Sequence, residues 1–189
     1  LEFCLLISLP SAVGLYILST PIIHILFERG AFVSEDTFYT ASVLSMFALG
    51  LPAYILMKVL MTCFFAREDT KTPLYVSIVS VAVNIILSLI LIQSMREMGI
   101  AIATAISAWI NALLLYVILN MRDNITLDSR LISNGYKIVI CTVVMGVVCY
   151  FSNLILFSHM AAHSTILNIG ALTLAVAINQ IVYIVMKKL

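Results

Sequence analysis

The sequence predicts an all-α, polytopic membrane helix bundle, and three observations carry that prediction. Hydrophobic residues make up 63 % of the 189 positions, and charged residues only 10 %, where a soluble domain carries about a quarter. Mean hydropathy is +1.16. The charges that exist crowd between apolar runs long enough to match a hydrocarbon core of about 30 Å. Strands at that depth would need to close into a barrel, whose signature of alternating segments of about ten residues is missing from the sequence.

Six apolar runs follow in order. The first, 3–27, contains Pro10 and Pro21, each of which removes a backbone hydrogen bond, so this helix is predicted to bend or break. The second, 37–66, is longer than one crossing needs and holds Gly50-Leu51-Pro52 near its middle, a second predicted bend. Between it and the third run, 74–95, lies REDTKTP, residues 67–73. Pro73 there suits the first turn of a helix, and Thr70 or Thr72 is the expected cap. The fourth run, 99–121, repeats small residues at four-residue spacing: Ala101 with Ala105, Ala103 with Ser107, Ala108 with Ala112. Such stripes let backbones approach closely, so this helix is predicted to be the packed centre. The fifth and sixth runs are 132–157 and 164–186.

Positive charge sets the expected orientation. With REDTKTP in the cytoplasm, that side collects Arg67, Lys71, Arg122, Arg130, Lys137, Lys187 and Lys188, leaving Arg29 and Arg96 opposite. Both ends of the segment then face the cytoplasm, as does the Asn124-Ile125-Thr126 sequon, which would stay unmodified. A near-neutral charge balance offers no basic stripe for nucleic acid. Cys4, Cys63, Cys141 and Cys149 all sit in apolar runs without metal-ligand spacing and are expected to be packing residues. Nothing pairs a nucleophile with a base, and no carboxylate pair lies within a run, so an enzyme is not expected. The chain opens on Leu1 with no signal-peptide pattern, which reads as a piece of something longer.

Polar residues inside the runs are the candidate functional positions, because each must face protein or water. Lys58 either snorkels to the interface or meets an anionic substrate in an aqueous cavity. Asn84 and Ser88 on the third run and Thr104 on the fourth reach similar depth if the two helices are antiparallel. Their oxygens would then suit a hard cation or simple interhelical hydrogen bonds. Asn111 is a further polar residue on the fourth run. His24, His159 and His163 are expected to be interfacial; the HxxxH spacing of the last two lacks a third ligand.

The stretches LPSAVGLYILSTPIIHILFERGAF at 9–32 and VLMTCFFAREDTKTP at 59–73 resemble the C-terminal half of the MurJ (MviN) family of bacterial lipid II flippases. The matching positions are Phe27, Arg29, Gly30 and Phe32, then Lys58, Phe64, Phe65, Ala66, Asp69, Lys71, Thr72 and Pro73. The motifs continue through Asn84 and Gly99-Ile100-Ala101 and fade after about residue 122. The resemblance implies part of a two-lobed MOP (MATE-like) fold in the bacterial inner membrane. Residues 1–122 would supply four helices of the C-terminal lobe, and 123–189 a cytoplasmic loop and two extra helices forming a lipid-tail groove. The N-terminal lobe, an implied partner of this segment, would precede residue 1. It further implies a transporter that moves lipid II across the bilayer by alternating access, in contact with membrane lipids. Lys58 would be a cavity cation, and Asn84, Ser88, the Ile100 carbonyl and Thr104 a sodium site. Ser88 stands where an aspartate would strengthen that site. The competing readings are a related exporter of drugs or other polyprenyl-linked sugars, and a membrane fragment that transports nothing.

Overall fold

The computed structural model describes residues 2–123 and 129–160, and every regular element among them is helical. The elements are α1 (Glu2–Ile17), α2 (Ser19–Phe27), α3 (Ser34–Phe65), α4 (Lys71–Asp123) and α5 (Ser129–Met160). Two of them, α3 and α4, are long and apolar enough to cross a membrane, and the bent pair α1–α2 counts as a third if it is one broken span. The chain is therefore an integral membrane protein. The predicted sixth run, the sequon, His163, Lys187 and Lys188 lie outside the described residues.

The first run breaks where its second proline predicts. The ring of Pro21 takes away the N–H that would pair with the carbonyl of Ile17, and Ile17 is the last residue of α1. Leu18 adopts φ −92° and ψ 7°, and α2 leaves at 64° to α1. Pro10 stays inside α1, and α3 runs through Pro52 as one helix. Beside Pro52 the α3 backbone meets a partner: Trp109 Nε1 donates to the Leu49 carbonyl at 3.1 Å.

The third and fourth runs form one helical stretch interrupted at Arg96, where φ 49° and ψ −130° turn the chain back. At 1.5 Å per residue, 53 unbroken residues would reach about 80 Å, more than twice a bilayer core. Instead the arms 71–95 and 97–123 lie side by side: Ser80 Oγ on the first donates to the Ser107 carbonyl on the second at 2.7 Å. Near the turn the arms touch so closely that a Cβ at Gly99 would lie 2.5 Å from the Leu91 carbonyl oxygen. Only glycine fits there.

The second arm is the packed centre that its small residues predict. Ala101, Ala103, Ala105, Ala108 and Ala112 are all buried. Gly50 of α3 crosses this stripe, its hypothetical Cβ 3.3 Å from Ala105 Cα. Toward the other end, Leu60 and Phe64 of α3 pack with Val76, Leu115 and Leu119 of α4. On the opposite side of α3 lies α1, which also receives α5 through Cys141, Met145, Leu6 and Val13. The outer face of the first arm stays exposed and apolar, as at Tyr75, Ile78, Ile86 and Ile90, a surface suited to lipid.

Candidate functional site

The polar residues of the two arms share one strip. Ser77, Ser80, Asn84 and Ser88 recur at three- and four-residue intervals, as do Thr104, Ser107 and Asn111, so each set lies along one helix face. Antiparallel packing brings the sets together. Asn84 Nδ2 donates to Ser107 Oγ at 2.9 Å and to Thr104 Oγ1 at 3.3 Å. Ser88 Oγ donates to Asn84 Oδ1 at 3.3 Å, and Thr104 Oγ1 to the Ile100 carbonyl at 2.8 Å.

This strip floors a cavity of about 390 Å³ between α3 and the hairpin. Tyr54, Met57 and Met61 of α3 form one wall, and Val81, Ile85 and Ala108 complete the apolar surround. Asn111 closes the floor, only 5 % exposed, and its Oδ1 accepts no hydrogen bond from the described residues. Among the described residues no charged side chain lines the cavity. Such a surface offers neutral hydrogen-bond donors and acceptors.

The predicted site residues thus fall into two groups. Asn84, Ser88, Ile100 and Thr104 join in a single hydrogen-bonded chain, of which Asn84 and Thr104 line the cavity. Lys58 is exposed on α3 and outside the cavity lining, one residue beyond Met57. Ser77, Ser80 and Tyr54 were not singled out in the sequence, and Ser107 only as a packing residue. The helical repeat Ser77, Ser80, Asn84, Ser88 was the legible signal for the first two; Tyr54 carried none.

As a cation shell the four predicted ligands are incomplete. Asn84 turns its amide N–H, not its oxygen, toward Thr104, and all the available oxygens are neutral. Among the described residues no three His, Cys, Asp or Glu side chains gather. These neutral oxygens would need further ligands to complete the shell of a hard cation.

Two carboxylates outside the spans fasten the helix ends. Between α2 and α3, Glu28 accepts from Thr37 Oγ1 at 2.7 Å and from Ser34 Oγ at 2.8 Å, with His24 Nδ1 at 2.6 Å. Chiefly the Thr37 hydroxyl, then His24 and Ser34, hold its carboxyl down at about 2. Between α3 and α4, Asp69 accepts from Thr72 N at 3.0 Å and Thr72 Oγ1 at 2.7 Å. Arg122 at the far end of α4 donates to Asp69 and, at 3.1 Å, to Thr72 Oγ1. The Thr72 hydroxyl and backbone N–H, then Arg122, bring Asp69 to about 2. The residue that caps α4 is therefore Asp69, not Thr70 or Thr72, because its two oxygens reach both the N–H and the hydroxyl of Thr72. The REDTKTP segment thus clamps the hairpin mouth.

The chain is similar to known proteins along nearly its whole length. A family model described as lipid II flippase MurJ matches residues 1–171. A probable lipid II flippase MurJ of Rhizobium tropici is 39 % identical over 186 residues, covering 98 % of this chain and 35 % of that protein. Proteins of the same description from Rhizobium meliloti (strain 1021) and Rickettsia prowazekii (strain Madrid E) are each 42 % identical, over 79 % and 76 % of this chain and 28 % of their own length. The likeness reaches well beyond residue 122, where the recognisable motifs fade. The chain spans about a third of the length of the curated relatives it matches.

Proposed function

The chain belongs to the lipid II flippase MurJ family, and on that premise we propose that the full-length protein carries lipid II from the inner to the outer leaflet of the bacterial inner membrane. The family match over residues 1–171 carries this reading. The geometry supports it with two kinds of part: a span broken by 64° at Leu18 and a hairpin clamped at its mouth. Rocking of lobes needs both a bend and a body that keeps its shape. In this reading the six apolar runs are helices of a MATE-like C-terminal lobe and its two-helix extension, with both ends in the cytoplasm. The contact of Arg122 with Asp69 supports the orientation, since it gathers Arg67, Lys71 and Arg122 at one end of the bundle.

Alternating access removes the main barrier, the passage of a charged head group through about 30 Å of hydrocarbon. The prenyl tail stays in lipid or against the 132–186 helices while the head crosses in a polar cavity. Lys58, exposed on α3, is the proposed contact for the pyrophosphate in this segment. A sodium ion at Asn84, Ser88, Ile100 and Thr104 is proposed as a partial shell that further ligands outside residues 1–189 would complete. No transport step depends on it.

Complementation tests the reading. In a bacterium depleted of its own flippase, the full-length protein is expected to restore growth and clear lipid II from the inner leaflet. Persistent accumulation with the protein demonstrably inserted would sink it. Lys58→Met is expected to reduce complementation, with Lys58→Arg restoring part of it; full activity of Lys58→Met would make Lys58 an interfacial anchor.

A further inference from the structure

The two halves of α3 are held in different ways. Toward Phe65, Leu60 and Phe64 are wedged into the hairpin against Val76, Leu115 and Leu119. Toward Ser34, the buried side chains are Thr37, Ala41 and Ala48, none larger than threonine. Pro52 stands between the halves, and without an N–H it cannot bond the Ala48 carbonyl four residues back. A proline there favours a kink, yet α3 continues through it as one helix. Two contacts brace that place from the second arm of α4. Gly50 rests on the alanine stripe, its hypothetical Cβ 3.3 Å from Ala105 Cα. Trp109, one turn beyond Ala105, reaches back and donates its Nε1–H to the Leu49 carbonyl at 3.1 Å. Leu49 and Trp109 are both half-exposed at the apolar surface of the bundle, where no water competes for the bond.

We propose that Pro52 is a hinge within α3 and that Trp109 is its latch: α3 is straight while the indole holds the Leu49 carbonyl and bends at Pro52 when that bond is released. The half toward Phe65 stays with the hairpin, because a packed apolar face cannot slip without opening voids. The half toward Ser34 is free to swing, because a single neutral hydrogen bond is made or broken as a whole. It takes α2 with it, since Glu28 binds Ser34 and Thr37 in the first turns of α3, and the break at Leu18 separates α2 from α1. The moving body is therefore α2 with 34–49, and the standing body is 53–65 with the hairpin. The inference deepens the transport reading by locating a bend, and rests on that reading only for the use made of the motion.

Electron-spin distance measurements on the full-length protein in membranes test this. Nitroxides are attached through p-acetylphenylalanine, which leaves the native cysteines alone, at the exposed pair Tyr39 and Ile92 and, separately, at the exposed pair Phe65 and Ile92. The first pair spans the hinge and the second lies within the standing body. Tyr39 is thirteen positions before Pro52, a lever of about 20 Å, so a bend of about 20° moves it by about 7 Å. Trp109→Phe keeps an aromatic ring and removes the donor. It is expected to shift the Tyr39–Ile92 distance by about 7 Å, in a second population or wholly, and to leave Phe65–Ile92 as in wild type. Adding Pro52→Ala returns the N–H that Ala48 lacks and is expected to cancel the shift. An unchanged Tyr39–Ile92 distance in Trp109→Phe would overturn the latch, since the seat of Gly50 on Ala105 would then suffice. A shift that survives Pro52→Ala would overturn the hinge, and an equal shift in Phe65–Ile92 would mean a loosened bundle and overturn both. No transport is measured, so failure here is separable from a failure of complementation.

Discussion

Glu28 and Asp69 perform the same chemistry at opposite ends of α3 with different reach. Each carboxylate collects two donors from hydroxyl-bearing residues of the following helix and one nitrogen of a basic residue. Glu28 draws its partners from within nine positions, so it shapes a turn that local sequence already favours. Asp69 takes one from 53 positions away and so fixes how two membrane helices meet. The basic residues differ too, since arginine stays charged at any working pH and histidine is the type that changes charge between about pH 5 and 8. A local node can loosen without unmaking the bundle, whereas a distant one cannot.

Gly99→Ala attacks the other end of the hairpin and is expected to have the largest effect. The new methyl would meet backbone, the Leu91 carbonyl oxygen, which cannot step aside. A loss of about 1 to 3 kcal/mol is expected, read as a drop in melting temperature of the detergent-solubilised protein. Gly146→Ala meets only the tip of Val13 at 3.0 Å and should lose less.

Opening the mouth comes next. Asp69→Ala removes the acceptor for Thr72 and Arg122 together, whereas Asp69→Asn keeps an oxygen for Thr72 and loses the charge. The alanine variant is expected to melt lower than the asparagine variant, and both below wild type. Equal melting of wild type and Asp69→Ala would show that the helix faces alone hold the arms together.

Glu28→Gln should act more locally. The amide oxygen can still accept from one hydroxyl, so the bundle stays folded while amide exchange quickens over residues 28–37. A uniform rise in exchange across α3 and α4 would mean that the two nodes are equivalent after all.

Acid gives a smaller test with a definite sign. Both carboxyls are depressed to about 2 from ordinary values of 4.5 and 3.8. Their stabilisation is therefore complete above those ordinary values and lost as pH falls from there toward 2. Glu28→Gln and Asp69→Asn should each flatten the stability curve in that acid window and, between pH 6 and 8, lower it without changing its slope.

The parts that were legible in the sequence share a physical basis. Pro21 marks the break at Leu18 because a missing N–H acts on the carbonyl four residues back, within one helix. The alanine stripe of 101–112 marks the packed arm because small side chains leave no other use for that face. The serine and asparagine repeat marked a polar strip in the same way. What could not be read was partnership. REDTKTP read only as a charged loop with a threonine cap, because nothing near it in sequence names Arg122. Lys58 stayed open between the interface and a cavity, because helical phase alone does not say which flank of α3 meets the hairpin.

Composition and periodicity by themselves determined that the chain is helical and membrane-embedded, where its first run breaks and which face of 101–112 packs, since each of these depends on neighbours within a turn or two. Only the tertiary structure decided that the two arms of α4 meet through Ser80 and Ser107, that Asp69 closes on Arg122, and that no donor among the described residues reaches Asn111 Oδ1. Those are contacts between positions far apart in the chain, and they follow from how backbones pack in three dimensions.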